Sequence, residues 1–117
     1  MTNMVEVKTA ELIGPALDWA VALAVRGADQ MPSPAQFKIW DDYHPSTDWA
    51  QGGPLIDKYR IWLSGPIFNR KDYSAAVDTG TDESRGTTAL IALCRALVTA
   101  KLGDVVQVPA GLVGGEA

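Results

Sequence analysis

Cysteine is nearly absent: Cys94 is the only one in 117 residues. A lone thiol cannot close an intramolecular disulfide, so packing must hold the fold, and a reducing cytoplasm is the expected compartment. Histidine is equally scarce. His44 stands alone, and one histidine without a second cysteine gives no recognised metal-ligand spacing. No run of Lys or Arg occurs; ten basic residues are scattered through a chain of net charge -4. That pattern disfavours duplex nucleic acid, which is held by neutralising many phosphates, while a single nucleotide needs only a few cations. Long apolar runs are missing too. The longest, Ala89 to Leu102, is interrupted by Arg95 and Lys101 and is too short to span a bilayer. No basic segment leads into an apolar one, so no signal peptide is expected.

What is present is a globular composition, 47% apolar and 21% charged, which supplies one core and argues against wholesale disorder. The length fits one domain over residues 1–117, with loose tails expected at 1–3 and 110–117. Val5 to Thr9 alternates apolar and polar residues and predicts a half-buried strand. A short turn follows, ending at Gly14. Pro15 suits the first residue of a helix, which runs on through Ala16 to Arg26 and stops at Gly27. A loop is expected over Ala28 to Pro34, a strand over Gln36 to Trp40, and a long structured loop over Asp41 to Gly53. Pro54 to Leu63 reads as a helical turn to Tyr59 and then a strand. Lys71 to Asp78 is a further strand candidate, and the polar Asp78 to Gly86 is expected to be a mobile loop.

Thr87 or Thr88 can cap a last helix, Ala89 to Leu102, which Gly103 ends; Val105 to Val108 can add a short strand. The fold class is therefore α+β: two apolar helices packed against a small, mainly antiparallel sheet. Both helices are apolar nearly all round, with Arg95 and Lys101 marking an exposed edge of the second. One thin sheet cannot easily cover both, so they pack on each other or one meets another copy. A homo-oligomer is expected on that ground.

The chemistry concentrates between Trp40 and Trp62. This stretch holds Trp40, Trp49, Trp62, Tyr43, Tyr59 and the sole histidine, His44. Gly52-Gly53-Pro54 could lead into a helix and present free N–H groups to an anion, although it lacks the Lys-Ser/Thr of a phosphate-binding P-loop. Read structurally, it is a tight turn. Gln51, Lys58 and Arg60 supply donors, and Tyr43, Trp49 and Tyr59 supply faces for a ring. His44, Ser46 and Asp48 form H-x-S-x-D, but hydrolase triads draw their members from separate elements, and no nucleophile-elbow glycines surround Ser46. Turn bonds and a cap near Trp49 explain Ser46, Thr47 and Asp48 better. A metal would have to use His44 with Asp41, Asp42 or Asp48, and carboxylate-rich loops are commonly just solvated. Trp19, Trp40 and Trp62 are expected in the core and Trp49 outside it. Cys94 reads as a small core residue.

Three segments, TAELIGPALDWAVALA, PSTDWAQGGPLI and TTALIALCRALVTAKLGDVVQVP, occur in that order. Together they resemble the NinX-like family of small phage and prophage proteins of unknown function; residues 28–39 and 64–86 fall outside the likeness. The matching positions are Leu17, Asp18, Trp19, Pro45, Ser46, Asp48, Trp49, Gly52, Gly53, Pro54, Ile56, Gly103, Asp104 and Pro109. The resemblance implies a viral accessory product acting inside a bacterial cell, and it implies no reaction. The expected function is a non-catalytic protein that holds a small anionic ligand, such as a nucleotide used as an immune signal. The expected site is Tyr43, His44, Ser46, Asp48, Trp49, Gln51, Gly52, Gly53, Lys58, Tyr59 and Arg60, with no cofactor or metal. Two other readings stand beside it: a module binding a host or phage protein, and a small hydrolase or metal-dependent enzyme.

Overall fold

The computed structural model describes residues 3–31, 43–66, 71–77 and 83–113. Strand β1, Met4–Lys8, follows its sequence alternation, with Val5 and Val7 turned toward the core. A 3-10 turn over Thr9–Glu11 leads to helix α1, Gly14–Arg26. Pro15 sits in its first turn, where a missing N–H costs nothing. Gly27 ends it at φ 84, a conformation that an L side chain rarely adopts. The expected strand over 36–40, Trp40, Asp41 and Asp42 lie outside the described residues.

The second half of the expected long loop is helical: α2 spans Trp49–Gly52, capped by the Asp48 carboxylate, which accepts from Ala50 N at 2.9 Å. Helix α3, Pro54–Tyr59, and strand β2, Ile61–Ser64, follow the sequence reading. Strand β3 is Tyr73–Val77. Strand β4, Ser84–Gly86, corrects the expectation of a loop through Gly86. This polar tripeptide becomes a strand because β3 offers it a ladder, with Tyr73 opposite Gly86 and Ala75 opposite Ser84.

Helix α4 is Ala89–Leu102; the Thr88 hydroxyl caps it by accepting from Ile91 N at 3.1 Å. Strand β5, Val105–Pro109, is followed by a 3-10 turn over Ala110–Leu112. Leu112 is buried, so 110–112 is not part of a loose tail.

The α+β class holds, but the one expected sheet is two, both antiparallel. One pairs β1 with β5, and the other runs β2-β3-β4. Helix α4 packs against β2, β3, β4 and α1. That placement explains its composition: Leu90, Ala92, Leu93, Cys94, Ala96, Leu97 and Val98 are all buried, facing several neighbours. Residues Ala16 to Ala22 of α1 are buried as well. The apolar surface of both helices is thus met within the chain, and it no longer argues for an oligomer interface. No helix among the described residues is long and apolar enough to cross a membrane.

Two side-chain expectations fail. Trp62 is 48% exposed rather than core, since Ile61 and Leu63 take the inward face of β2 and the pleat turns Trp62 outward. Arg95 is half-buried rather than on an exposed edge. Its Nε donates to Leu12 O at 2.9 Å and its Nη1 to Arg85 O at 2.7 Å, joining α4 to both neighbouring segments. Trp19 and Cys94 are in the core and Trp49 is 53% exposed, as expected.

Candidate functional site

The expected site residues separate into three groups. The first is structural. Gly52 N donates to Asp48 O and Gly53 N to Trp49 O, each at 2.8 Å. These amides are used inside the helical turn, which corrects the idea that Gly52-Gly53 offers them to an anion. Gly52 has a different reason to be glycine: an added Cβ would lie 2.5 Å from Pro45 O and 2.6 Å from Leu90 Cδ2. Gln51 folds back to accept from His44 N at 2.7 Å, and Asp48 is the α2 cap.

Ser46 is held from α1, its N–H donating to Asp18 Oδ1 at 2.9 Å. Burial raises the Asp18 carboxyl above its ordinary value, while the Ser46 amide, the Ser46 hydroxyl and the His44 ring pull it back. That hydroxyl reaches no partner at hydrogen-bond distance and angle, so its own hold on the carboxylate is weak. His44 Nδ1 lies 3.5 Å from Thr47 Oγ1. The Ser46 amide and the Asp48 carboxylate are thus engaged in structural bonds, and His44 Nδ1 lies nearest Thr47 rather than holding a hydrogen bond to Ser46 or Asp48. No group of three or more His, Cys, Asp or Glu capable of holding a metal occurs among the described residues.

The second group lies at the start of α4. Ser46 and exposed Trp49 line a hollow of about 470 Å³ with Tyr73 and Thr87 to Ile91. Among the described residues its lining carries no charged side chain. Tyr43 belongs elsewhere: Arg26 stands 5.5 Å from its ring centroid, and burial pushes its phenol up to about 12, with Arg26 acting in the opposite direction.

The third group is where charge collects. Lys58, Tyr59 and Arg60 line a hollow of about 260 Å³ with Val77, Leu97, Ala100 and Lys101. Lys58 Nζ lies 5.5 Å from the Tyr59 ring centroid and Lys101 Nζ 5.3 Å, both within cation–π reach. Lys58, Arg60 and Lys101 are all exposed, and none pairs with a carboxylate among the described residues. Among the described residues the lining contains no acid. Each lysine alone could be read as a solvated cation in the last turn of a helix, where the macrodipole favours it. That reading does not explain why they converge on one ring in a chain of net charge -4.

Arg60 adds a backbone signal. It is the one non-glycine residue at positive φ among those described, at φ 55 and ψ 57, closing α3 where glycine is usual. Its own N–H donates to Ile56 O. A strained left-handed residue held beside a charge cluster is the kind of outlier that functional sites retain.

Sequence reading found Lys58, Tyr59 and Arg60 from their local spacing and missed Lys101. Nothing local points to Lys101; only the packing of α4 on β2 and β3 brings it there. The Trp49 hollow and the cationic hollow lie at opposite ends of α4. From Leu90 to Lys101 is roughly 16 Å along a helix axis.

No curated protein matches this chain. A family model described as Bacteriophage P22, NinX matches residues 8–101, most of the length, which includes α1, the Tyr43–Arg60 segment and nearly all of α4. The chain belongs to the Bacteriophage P22 NinX family.

Proposed function

We propose that this phage protein is a non-catalytic binding protein that captures a small anionic ligand on Lys58, Arg60 and Lys101, against the Tyr59 ring. The observation that carries this reading is two exposed lysines, Lys58 and Lys101, within cation–π reach of the Tyr59 ring, with Arg60 in the same lining and no carboxylate there among the described residues. Cations so placed focus potential and attract an anion despite the negative net charge. The hollow, about 260 Å³, has room for one phosphoryl or carboxylate group. In its sharpest form the ligand is a nucleotide signal of host immunity, withheld inside the infected cell from its receptor. The use of the Asp48 carboxylate as a helix cap, and the absence of a hydrogen bond between His44 and Ser46, favour retention of the ligand over its conversion.

Native mass spectrometry with AMP and cyclic AMP tests this, on the wild-type chain and on a Lys58→Gln/Lys101→Gln variant. The expected result is an adduct of unaltered ligand mass that weakens about tenfold or more in the variant, since charge-assisted contacts are lost. Equal affinity in both proteins, or release of an altered mass, overturns the reading. The same spectra report subunit number, which tests the expected homo-oligomer.

A second reading rests on a separate observation: Trp49 and Trp62 are about half exposed, as anchors of a protein interface would be. A host protein captured in fixed stoichiometry, and lost with Trp49→Ala or Trp62→Ala, would favour it.

A further inference from the structure

A cavity of about 630 Å³ lies between the two sheets, on the side of α4 away from the cationic hollow. Lys8 of β1, Arg85 of β4 and Arg95 of α4 belong to its wall. Arg95 is unusual among them. A guanidinium carries five N–H donors, and here two of them are used, on Leu12 O and Arg85 O. No carboxylate among the described residues pairs with it, although it is half-buried. Carbonyl oxygens orient the group without neutralising it, so a partly desolvated cation is left without its counter-charge. Burial lowers its proton affinity.

The two bonds do something further. They fix the guanidinium plane against both the 3-10 turn after β1 and the end of β4, so the rest of the fork is held in one orientation. Preorganised donors of this kind suit a bidentate oxyanion. Arg85 is 56% exposed at the rim with Glu83 3.6 Å from its Nε, so part of its charge is already answered. Asp72 and Asp104 also line the cavity. With three acids facing three bases, a polyphosphate would be repelled, and a group of one or two negative charges fits better.

We propose that this cavity is a second anion site, distinct from the cationic hollow, in which Arg95 receives the carboxylate or phosphate of a small ligand and Lys8 and Arg85 stand at its rim. It is independent of the function proposed above, because it uses the opposite side of α4 and none of the same residues.

Proton–nitrogen correlation NMR tests it directly, since the Arg95 Nε–H is held by Leu12 O and should give a resolved signal. Sodium phosphate and sodium acetate are titrated separately, with sodium chloride at matched ionic strength as control. The expected result is a saturable shift of the Arg95 Nε–H and of the Gly86 and Thr87 amides with at least one oxyanion. Phosphate alone, acetate alone, or both acting would each support the site and name its class. Arg85→Ala should weaken the response a few-fold. Arg95→Lys, which keeps the charge and loses the fork, should weaken it about tenfold. Should Arg95→Lys disturb the fold, the wild-type titration still decides. No Arg95 response to either anion, or one that chloride reproduces, overturns the proposal. The Tyr59 and Arg60 amides report the other site in the same spectra, so the two can fail separately.

Discussion

Arg60→Gly should make the protein more stable and a poorer anion binder. Holding an L residue at φ 55, ψ 57 costs about 1–2 kcal/mol relative to its relaxed conformation. Glycine has no such cost, but it gives the unfolded chain about 0.5–1 kcal/mol more conformational entropy to lose. The difference leaves roughly 0.5–1 kcal/mol in favour of glycine, and a melting temperature higher by about 2–5 °C for a domain of this size. Arg60→Ala keeps the left-handed strain and removes only the charge, so its stability should stay within about 0.5 kcal/mol of wild type. Both variants lose one of the three cations lining the hollow, and each should weaken AMP binding about three- to tenfold. Urea denaturation gives the first quantity from the midpoint at unchanged slope, and calorimetric titration gives the second. If Arg60→Gly is less stable than wild type, the strain argument is wrong. If both variants bind as wild type does, Arg60 has no part in the site.

Three further outcomes follow from buried groups. Asp18→Asn preserves an acceptor for Ser46 N while removing a buried charge. A raised folded pKa means that the carboxyl contributes stability below its unfolded value of about 3.9 and loses it as pH rises through the folded value. The Asn variant should therefore gain on wild type between acid and neutral pH, measured by urea midpoints across that range; a constant difference would remove Asp18 as the titrating group. Gly86→Ala should destabilise by about 1–3 kcal/mol, because its Cβ would lie 2.6 Å from Ala92 N and 2.7 Å from Ile91 Cγ2, and α4 would have to lift from β4. The Cys94 thiol, fully buried and pushed by burial to about 12, should resist alkylation in the native state. Its labelling rate should rise only with urea, as global opening does, and rapid labelling without denaturant would show that α4 opens locally.

The punctuation of the fold was readable from single residues. Gly14-Pro15 and Gly27 bracket α1, Thr88 and Gly103 bracket α4, and the break after Tyr59 separates α3 from β2. Each of these depends on backbone chemistry that one or two residues carry locally. What could not be read depended on neighbours. Ser84-Arg85-Gly86 has no strand character of its own; β3 supplies the hydrogen bonds, and Gly86 lets the α4 backbone come close. Aromatic character suggested a buried Trp62, yet the pleat of β2 places Ile61 inward and leaves Trp62 half exposed. The apolarity of α4 was plain, but its several-sided packing depends on where the two sheets stand.

The site divides along the same line. Lys58, Tyr59 and Arg60 are consecutive, so a turn was enough to bring two cations and a ring together, and the sequence could show them. Trp49 and Gly52-Gly53 looked equally close in the chain, but α2 uses the glycine amides for its own hydrogen bonds and places Trp49 at the other end of α4. Arg95 was hardest to recognise, because a lone charge in an apolar helix reads as the helix's wet side. Only the carbonyls of Leu12, 83 residues away, and of Arg85 on the neighbouring strand β4 hold it there. Proximity in sequence therefore overstated the aromatic loop and understated α4. Lys101 and Arg95 project from different sides of this one helix into two separate cavities, so the anion-binding capacity proposed for this protein depends on α4 being held rigidly between its sheets. A variant that loosens α4, such as Gly86→Ala, should consequently weaken binding at both cavities, although it touches no charge in either.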